Sequence, residues 1–274
     1  MAATDEIAIT KLGVEDAAAG LVLSTEARWN QNEADWRFFL SKGLVFGVRD
    51  GERLVATAAL LPYTSGNAWI SMVLVTASWR RRGIATKLVD ACLDAATKRG
   101  LTTWLDATPD GARVYGPLGF TPTLQLRRLR LVAPVQTGIA PSLSICSLGD
   151  FIARDVRAMG FDRSSLLNEF GERAGSRVVS LGDAAALVRD GRTARHIGPL
   201  FAGSYESALA LVDAITQSEQ GPWLLDAVHA QEPFLNGLTA SGWTIERPFQ
   251  RMRFGRTTML AAELPFAVAG PEFG

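Results

Sequence analysis

The sequence predicts an α/β fold (α+β, mixed sheet) made of tandem domains, each a mixed central sheet flanked by helices. Three observations predict it. Apolar alternating runs and amphipathic runs follow one another in the N-terminal half; an apolar strand passes through a basic glycine turn into a helix at 72–88; and segments of the second half echo the first.

Taken in order, residues 7–12 alternate apolar with polar and predict a first strand, and the alanine-rich stretch 14–26 a helix. The segment Trp29-Asn30-Gln31-Asn32-Glu33-Ala34-Asp35-Trp36 can cap and start a second helix, continuing through Phe38, Phe39 and Leu40. Residues 44–48 and 53–61 are strands joined through Asp50-Gly51, a strong hairpin signal. A strand at 69–75 leads to the turn Trp79-Arg80-Arg81-Arg82-Gly83-Ile84-Ala85. The helix after it, 84–98, carries Ile84, Leu88, Cys92 and Ala95 on one face, so Cys92 reads as a small core residue. A strand follows at 102–106.

Residues 132–142 hold two prolines, a glycine and no charge, and read as a linker. Beyond it Leu105-Asp106-Ala107 recurs as Leu225-Asp226-Ala227, and Gly119-Phe120 has a counterpart in Gly242-Trp243. Basic alternating segments close both halves, at 126–131 and 249–254. With a strand at 194–201 and a helix at 204–218, this predicts an internal duplication. The expected domains are 1–131, a linker 132–143, a second copy 144–258 and a tail 259–274.

Lys plus Arg and Asp plus Glu both number 28, so no chain-wide attraction to nucleic acid or an anionic membrane surface is expected. No apolar run approaches a membrane span, and the N-terminal residues lack the pattern of a secretory signal. Cys92 and Cys146 lie outside any C-x-x-C, which predicts neither a disulfide framework nor a metal site and fits the cytoplasm.

Glycine at 83 and alanine at 85 leave the backbone bare where a helix begins, so its N–H groups and positive dipole end can receive a phosphate or pyrophosphate. The turn has neither the G-x-x-x-x-G-K-[ST] nor the G-x-G-x-x-G form, which removes the usual support for nucleotide hydrolysis and dinucleotide redox. Arg80-x-x-Gly83-x-Ala85 resembles the [QR]-x-x-G-x-[GA] signature of the GNAT superfamily of acyl-CoA N-acyltransferases. Tyr115-Gly116-Pro117-Leu118-Gly119-Phe120 is similar to that family's Tyr-x-x-x-Gly-Phe ending. The second half resembles the C-terminal domain of a two-domain branch through Asp162-Arg163, Ile197-Gly198-Pro199-Leu200 and Arg251-Met252. Its Ala202-Gly203-Ser204 lacks the basic lead, so this copy is not expected to hold the cofactor.

The resemblance implies tandem GNAT-like domains with a splayed strand pair, and acetyl-CoA as acyl donor without a metal. Val73, Leu74 and Val75 would contact the pantetheine arm. Arg80, Arg81, Arg82, Gly83, Ile84, Ala85 and Thr86 would surround the pyrophosphate. Tyr115 would protonate the leaving thiolate, since a phenol of pKa about 10 stays protonated at neutral pH; the same ring could simply pack on Phe120 and Leu118.

An amine acceptor needs a base, and Asp106, ending a strand, is preferred over Glu26, Glu33 and Asp35, although its echo Asp226 points to a structural role. Trp29, Asn30 and Trp69, with Gln31 and Trp36 nearby, suit a pocket for a small or peptide amine; core packing is the competing reading for the tryptophans. The expected activity is N-acetyl transfer to a primary amine in a ternary complex, the alternative a non-catalytic acyl-CoA-binding regulator. The second domain would close the acceptor cleft or form a homo-oligomer interface.

Overall fold

The computed structural model describes residues 7–133, 142–256 and 262–274. The chain forms two compact units, Met1–Pro62 with Gly66–Leu105, and Tyr63–Ser65 with Asp106–Gly274.

The first unit contains β1 (Thr10–Lys11), α1 (Ala17–Glu26), α2 (Glu33–Lys42), β2 (Leu44–Asp50), β3 (Arg53–Pro62), β4 (Asn67–Val75), α3 (Ile84–Thr97) and the start of β5 (Thr102–Ala107). Its strands lie in sequence order, antiparallel from β1 to β4, with β5 parallel to β4. The reasons are local. Gly51 takes φ +57 in the β2–β3 hairpin, which closes on the pair Asp50↔Arg53. The Asn32 side chain accepts from Asp35 N and the Asp35 carboxylate accepts from Asn32 N, both at 3.0 Å, so α2 starts in a reciprocal cap. Helix α3 turns Ile84, Leu88, Val89, Cys92 and Ala96 inward, and it packs on β2, β3 and β4. Burial pushes the Cys92 thiol well above its usual range, as befits a core residue.

The second unit holds α4 (Pro109–Tyr115), β6 (Thr121–Leu131), β7 (Ser144–Ile145), α5 (Leu148–Met159), α6 (Ser164–Glu172), β8 (Arg177–Leu181), β9 (Ala184–Asp190), β10 (Arg195–Phe201), α7 (Tyr205–Ser218), β11 (Trp223–Val228), α8 (Glu232–Ala240) and β12 (Thr244–Phe254). Its strands run in the order β12-β6-β11-β10-β9-β8-β7. From β7 to α7 the sequence of elements repeats that of the first unit from β1 to α3, strand, two helices, three strands and a helix. The duplication therefore begins before the echo at 194–201.

The compact units divide within β5, whereas the expected domain boundary lies after residue 131; β6 is antiparallel to both β11 and β12 and belongs to the second unit. The expected tail is no loose end where it is described. Phe266, Ala267, Val268, Ala269 and Phe273 are buried, and Arg163 donates to Phe273 O at 3.1 Å. Most of the expected linker, 134–141, lies outside the described residues.

Candidate functional site

The glycine turn is assembled within the first unit. β4 pairs with β5 only through Asn67↔Thr102, Ala68↔Thr103 and Trp69↔Trp104, and the ladder does not continue beyond Trp69. Farther along, between the pairs Ser71↔Ala59 and Leu74↔Thr57, two residues of β4, Met72 and Val73, face one of β3, Ala58. Met72 sits in this bulge at φ +52, with its carbonyl held by Thr57 Oγ1 at 2.8 Å. A bulge re-aims the strand and ends its regular pairing. Val73 and Val75 are half-buried and Leu74 is buried.

Past Val75 the chain makes a short 3-10 turn, Ala77–Trp79, then places Arg81 at φ +61 and Gly83 at φ +74 before α3 begins. Positive φ at such positions is the backbone hand from which anion-binding concavities are made. Gly83 has no side chain to cap α3, and a Cβ on it would meet no atom within 4 Å. The first-turn N–H groups of Ile84, Ala85 and Thr86 therefore face an open approach.

The arginines divide the work. Arg80 Nε donates to Val75 O at 3.0 Å, and Arg82 donates to Ser78 O at 3.1 Å with its guanidinium 4.7 Å over the Trp79 ring. Both brace the turn, while Arg81 is exposed and makes no such bond among the described residues.

A residue expected only as one of several bases also anchors the turn. Glu26, at the C-terminal end of α1, accepts from Ala77 N at 2.7 Å and from Thr76 Oγ1 at 2.5 Å, with Arg53 at 3.9 Å. The Thr76 hydroxyl bond, then the Ala77 amide bond, hold its carboxyl below the usual range. It bounds a narrow cleft with Leu23, Ala27, Leu74 and Val75. A carboxylate at a helix C-terminus opposes the helix dipole, and here the bonds to the turn offset that. The fifty-one positions between Glu26 and Ala77 hide this pairing from sequence.

Tyr115 and Asp106 belong to the second unit. Tyr115 ends α4, whose Thr108 side chain accepts from Gly111 N at 3.3 Å with Pro109 at the first helical position. Phe120 is buried, its N–H donates to Tyr115 O at 3.2 Å, and its ring centroid lies 6.0 Å from that of half-buried Tyr115.

Asp106 does not match the expected base. Its side chain is 0% exposed, and both oxygens accept from Arg251, at 2.8 Å each. Burial raises its pKa more than Arg251 lowers it. A carboxylate so enclosed and so fully engaged has no path to an incoming amine.

Of the expected acceptor residues in the first unit, Trp69 is 1% exposed and stacks on Trp104, with centroids 6.3 Å apart and planes 8° apart, which corrects it from pocket to core. Trp36 is likewise buried, bonded through Nε1 to Ser24 Oγ at 3.0 Å. Asn30 is buried, and Trp29 is half-buried with its N–H on Ser24 O. Among the described residues no cluster of His, Cys, Asp and Glu could hold a metal, and no helix is long and apolar enough to cross a membrane.

The acetyltransferase (GNAT) family model matches residues 16–120, and an acetyltransferase (GNAT) domain model matches residues 152–264. No curated protein sequence matches this chain. Among solved structures, one from Pyrococcus horikoshii described as a candidate acetyltransferase superposes with a TM-score of 0.81 at 18% identity, over 98% of this chain and 96% of that one. A GCN5-related N-acetyltransferase from Sphaerobacter thermophilus gives 0.65 at 12% identity, over 94% and 99%. A tandem GNAT protein from the clavulanic acid biosynthesis pathway gives 0.64 at 15% identity, over 92% and 100%. At such identities the likeness is one of fold. With one acetyltransferase match in each half, on a repeated order of elements, the chain belongs to the GNAT acetyltransferase superfamily as a two-domain member.

Proposed function

We propose that the chain is an N-acetyltransferase that transfers acetyl from acetyl-CoA to a primary amine by direct attack in a ternary complex. The observation that carries this reading is the open, uncapped turn at Gly83, standing directly after a bulged strand that has parted from its parallel neighbour. A pyrophosphate suits the N–H groups at 84–86 and the exposed Arg81. An extended pantetheine arm suits β4 beyond Trp69, where it would pair as an added strand through Val73 and Val75.

In this reading a backbone N–H of β4 polarises the thioester carbonyl, the amine lone pair forms the new C–N bond, and the C–S bond breaks. Tyr115 gives its proton to the departing thiolate. With Asp106 and Glu26 engaged elsewhere, the proton of the attacking amine leaves through water. The acceptor is a small molecule or a peptide amine, received near Trp29 and Asn30, and neither nucleic acid nor membrane takes part. A cytoplasmic setting accords with the free cysteines, Cys92 and Cys146. Self-association is part of the proposal only as an alternative role for the second domain.

The competing reading, an acyl-CoA-binding regulator without turnover, is favoured by one observation: Asp106, the preferred base, is closed off by Arg251. Titration calorimetry with acetyl-CoA on the wild type and on Gly83→Glu, followed by thiol release with a panel of amines, tests both. One-site binding lost in Gly83→Glu, with amine-dependent thiol release, is expected. Binding without release from any amine would favour the regulator, and no binding would overturn both.

A further inference from the structure

The second unit repeats the splayed strand pair of the first, but its gap is filled. β10 and β11 pair in parallel over three positions, Arg195↔Trp223, His196↔Leu224 and Ile197↔Leu225, as β4 and β5 do over three. Next comes the same irregularity: between the pairs Ile197↔Val188 and Leu200↔Ala186, two residues of β10, Gly198 and Pro199, stand against one of β9, Leu187. Beyond that point a third segment enters. Ala267 bridges antiparallel to Leu200 on one side and to Ala227 on the other.

Its neighbours complete the ladder. Leu200 N donates to Ala267 O at 3.0 Å and Phe266 N to Leu200 O at 2.9 Å; across the gap, Val228 N donates to Phe266 O and Val268 N to Asp226 O, both at 3.0 Å. For one segment to bond both strands, they must stand about two strand spacings apart, roughly 10 Å. The closeness of fit is visible at Gly198, at φ +153, where a Cβ would fall 2.1 Å from Val268 O.

At the turn that follows, the backbone N–H is taken from within the chain, beside an open cavity of about 540 Å³ lined by Arg154, Arg157, Asp183 and Gly203. Gly203 N donates to the Asp183 carboxylate at 2.7 Å, and a Cβ on Gly203 would fall 2.1 Å from that oxygen. Ser204 then caps α7 by accepting from Ser207 N at 3.2 Å. At Gly83 in the first unit the corresponding space is open.

We infer that the gap between β10 and β11 is a second slot for an extended acyl-thioester arm, occupied by the chain's own residues 266–268 with the Asp183 carboxylate in the place of the phosphate. The inference rests on the acyl-CoA reading of the first unit. Residues 266–268 take the inward N–H and C=O groups of both strands, as an added strand would, and Asp183 supplies the negative charge that the turn attracts. The protein accordingly binds one acyl-CoA per chain, and the second unit is complete without a ligand.

Hydrogen–deuterium exchange and calorimetry on the full chain test this. Without ligand, the amides of Leu200, Val228 and Val268 are expected to exchange slowly, at least a hundredfold below an exposed loop. Saturating acetyl-CoA should slow exchange in 70–86, leave those three amides unchanged and bind with a stoichiometry of about one, and Gly83→Glu should abolish all binding. Loop-like exchange at Leu200 and Val228 without ligand, their further protection by acetyl-CoA, or one equivalent still bound to Gly83→Glu would overturn the inference. A lack of protection in 70–86 would instead overturn the acyl-CoA reading, with the filled slot still judged from the ligand-free amides.

Discussion

Asp106 and Arg251 stand 145 positions apart in sequence and are joined by two N–H···O bonds of 2.8 Å, with the carboxylate fully buried. The echoed aspartate has the same kind of partner: Asp226 accepts two bonds of 2.8 Å from Arg128, and a third contact of 3.0 Å joins it to His196 Nε2. Each aspartate thus meets an arginine from one of the two basic strands, β12 or β6. Removing one partner strands a buried charge, which costs about 3–5 kcal/mol. Arg251→Ala is therefore expected to lower the unfolding free energy by that order in a urea titration. Asp106→Asn should destabilise as well, while the pH profile of the remaining activity keeps its wild-type midpoint. A lost ionisation in that profile would restore Asp106 as a base.

Stability should fall on mild acidification. His196 is buried, and desolvation holds its pKa below the usual imidazole value of about 6.5. It therefore stays neutral when folded, and its Nε2–H donates to Asp226. The unfolded chain takes up a proton below pH 6.5, so the stability this group contributes is complete above that pH and is lost as pH falls through it. Asp226 acts in the same direction lower down: Arg128 and His196 outweigh its burial and hold its pKa below 3.8, so its contribution is lost below that pH. Asp106 opposes this in the lowest range, because burial raises its pKa. Urea unfolding at pH 5.5 should give about 1 kcal/mol less than at pH 7.5, and His196→Gln should remove most of that difference. A flat wild-type profile over this interval would refute the assignment.

Tyr115→Phe should cost turnover and spare binding. Loss of a general acid lowers the rate by roughly a hundredfold or more. Calorimetry with acetyl-CoA should give the wild-type affinity, and steady-state rates should show the loss in kcat. An unchanged kcat would make Tyr115 a packing residue for Phe120.

Glu26→Gln should act on the cofactor side alone. A cap of this kind contributes about 1 kcal/mol, so the KM for acetyl-CoA should rise about fivefold while kcat and the KM for the amine hold. A loss confined to kcat, restored at high pH, would return Glu26 to the role of base.

Much of the first unit was legible because its signals are local. Asp50-Gly51 marks its hairpin, the polar segment 29–36 announces the start of α2, and the turn at Arg80 to Ala85 lies where strand and helix periodicities meet. The recurrence of Leu105-Asp106-Ala107 exposed the duplication, but the earlier elements of the second copy, α5, α6, β8 and β9, share only their order with the first. What sequence concealed was non-local. Nothing near Asp106 announces Arg251, nothing near Trp69 separates stacking on Trp104 from lining a pocket, and Phe266-Ala267-Val268 is too short an apolar run to reveal the strands it joins.

The position of β6 between β11 and β12 bears on how such a chain can be taken apart. In sequence β6 closes the first copy, yet its hydrogen bonds are spent on two strands of the second unit. A gene cut at the linker would yield one fragment ending in a strand deprived of both those neighbours, and another whose sheet is broken between β11 and β12. Such bare edges recruit foreign strands. The duplication is thus locked by its own bonding: the second half cannot be shed or replaced as a cassette, and its persistence requires no catalytic task of its own.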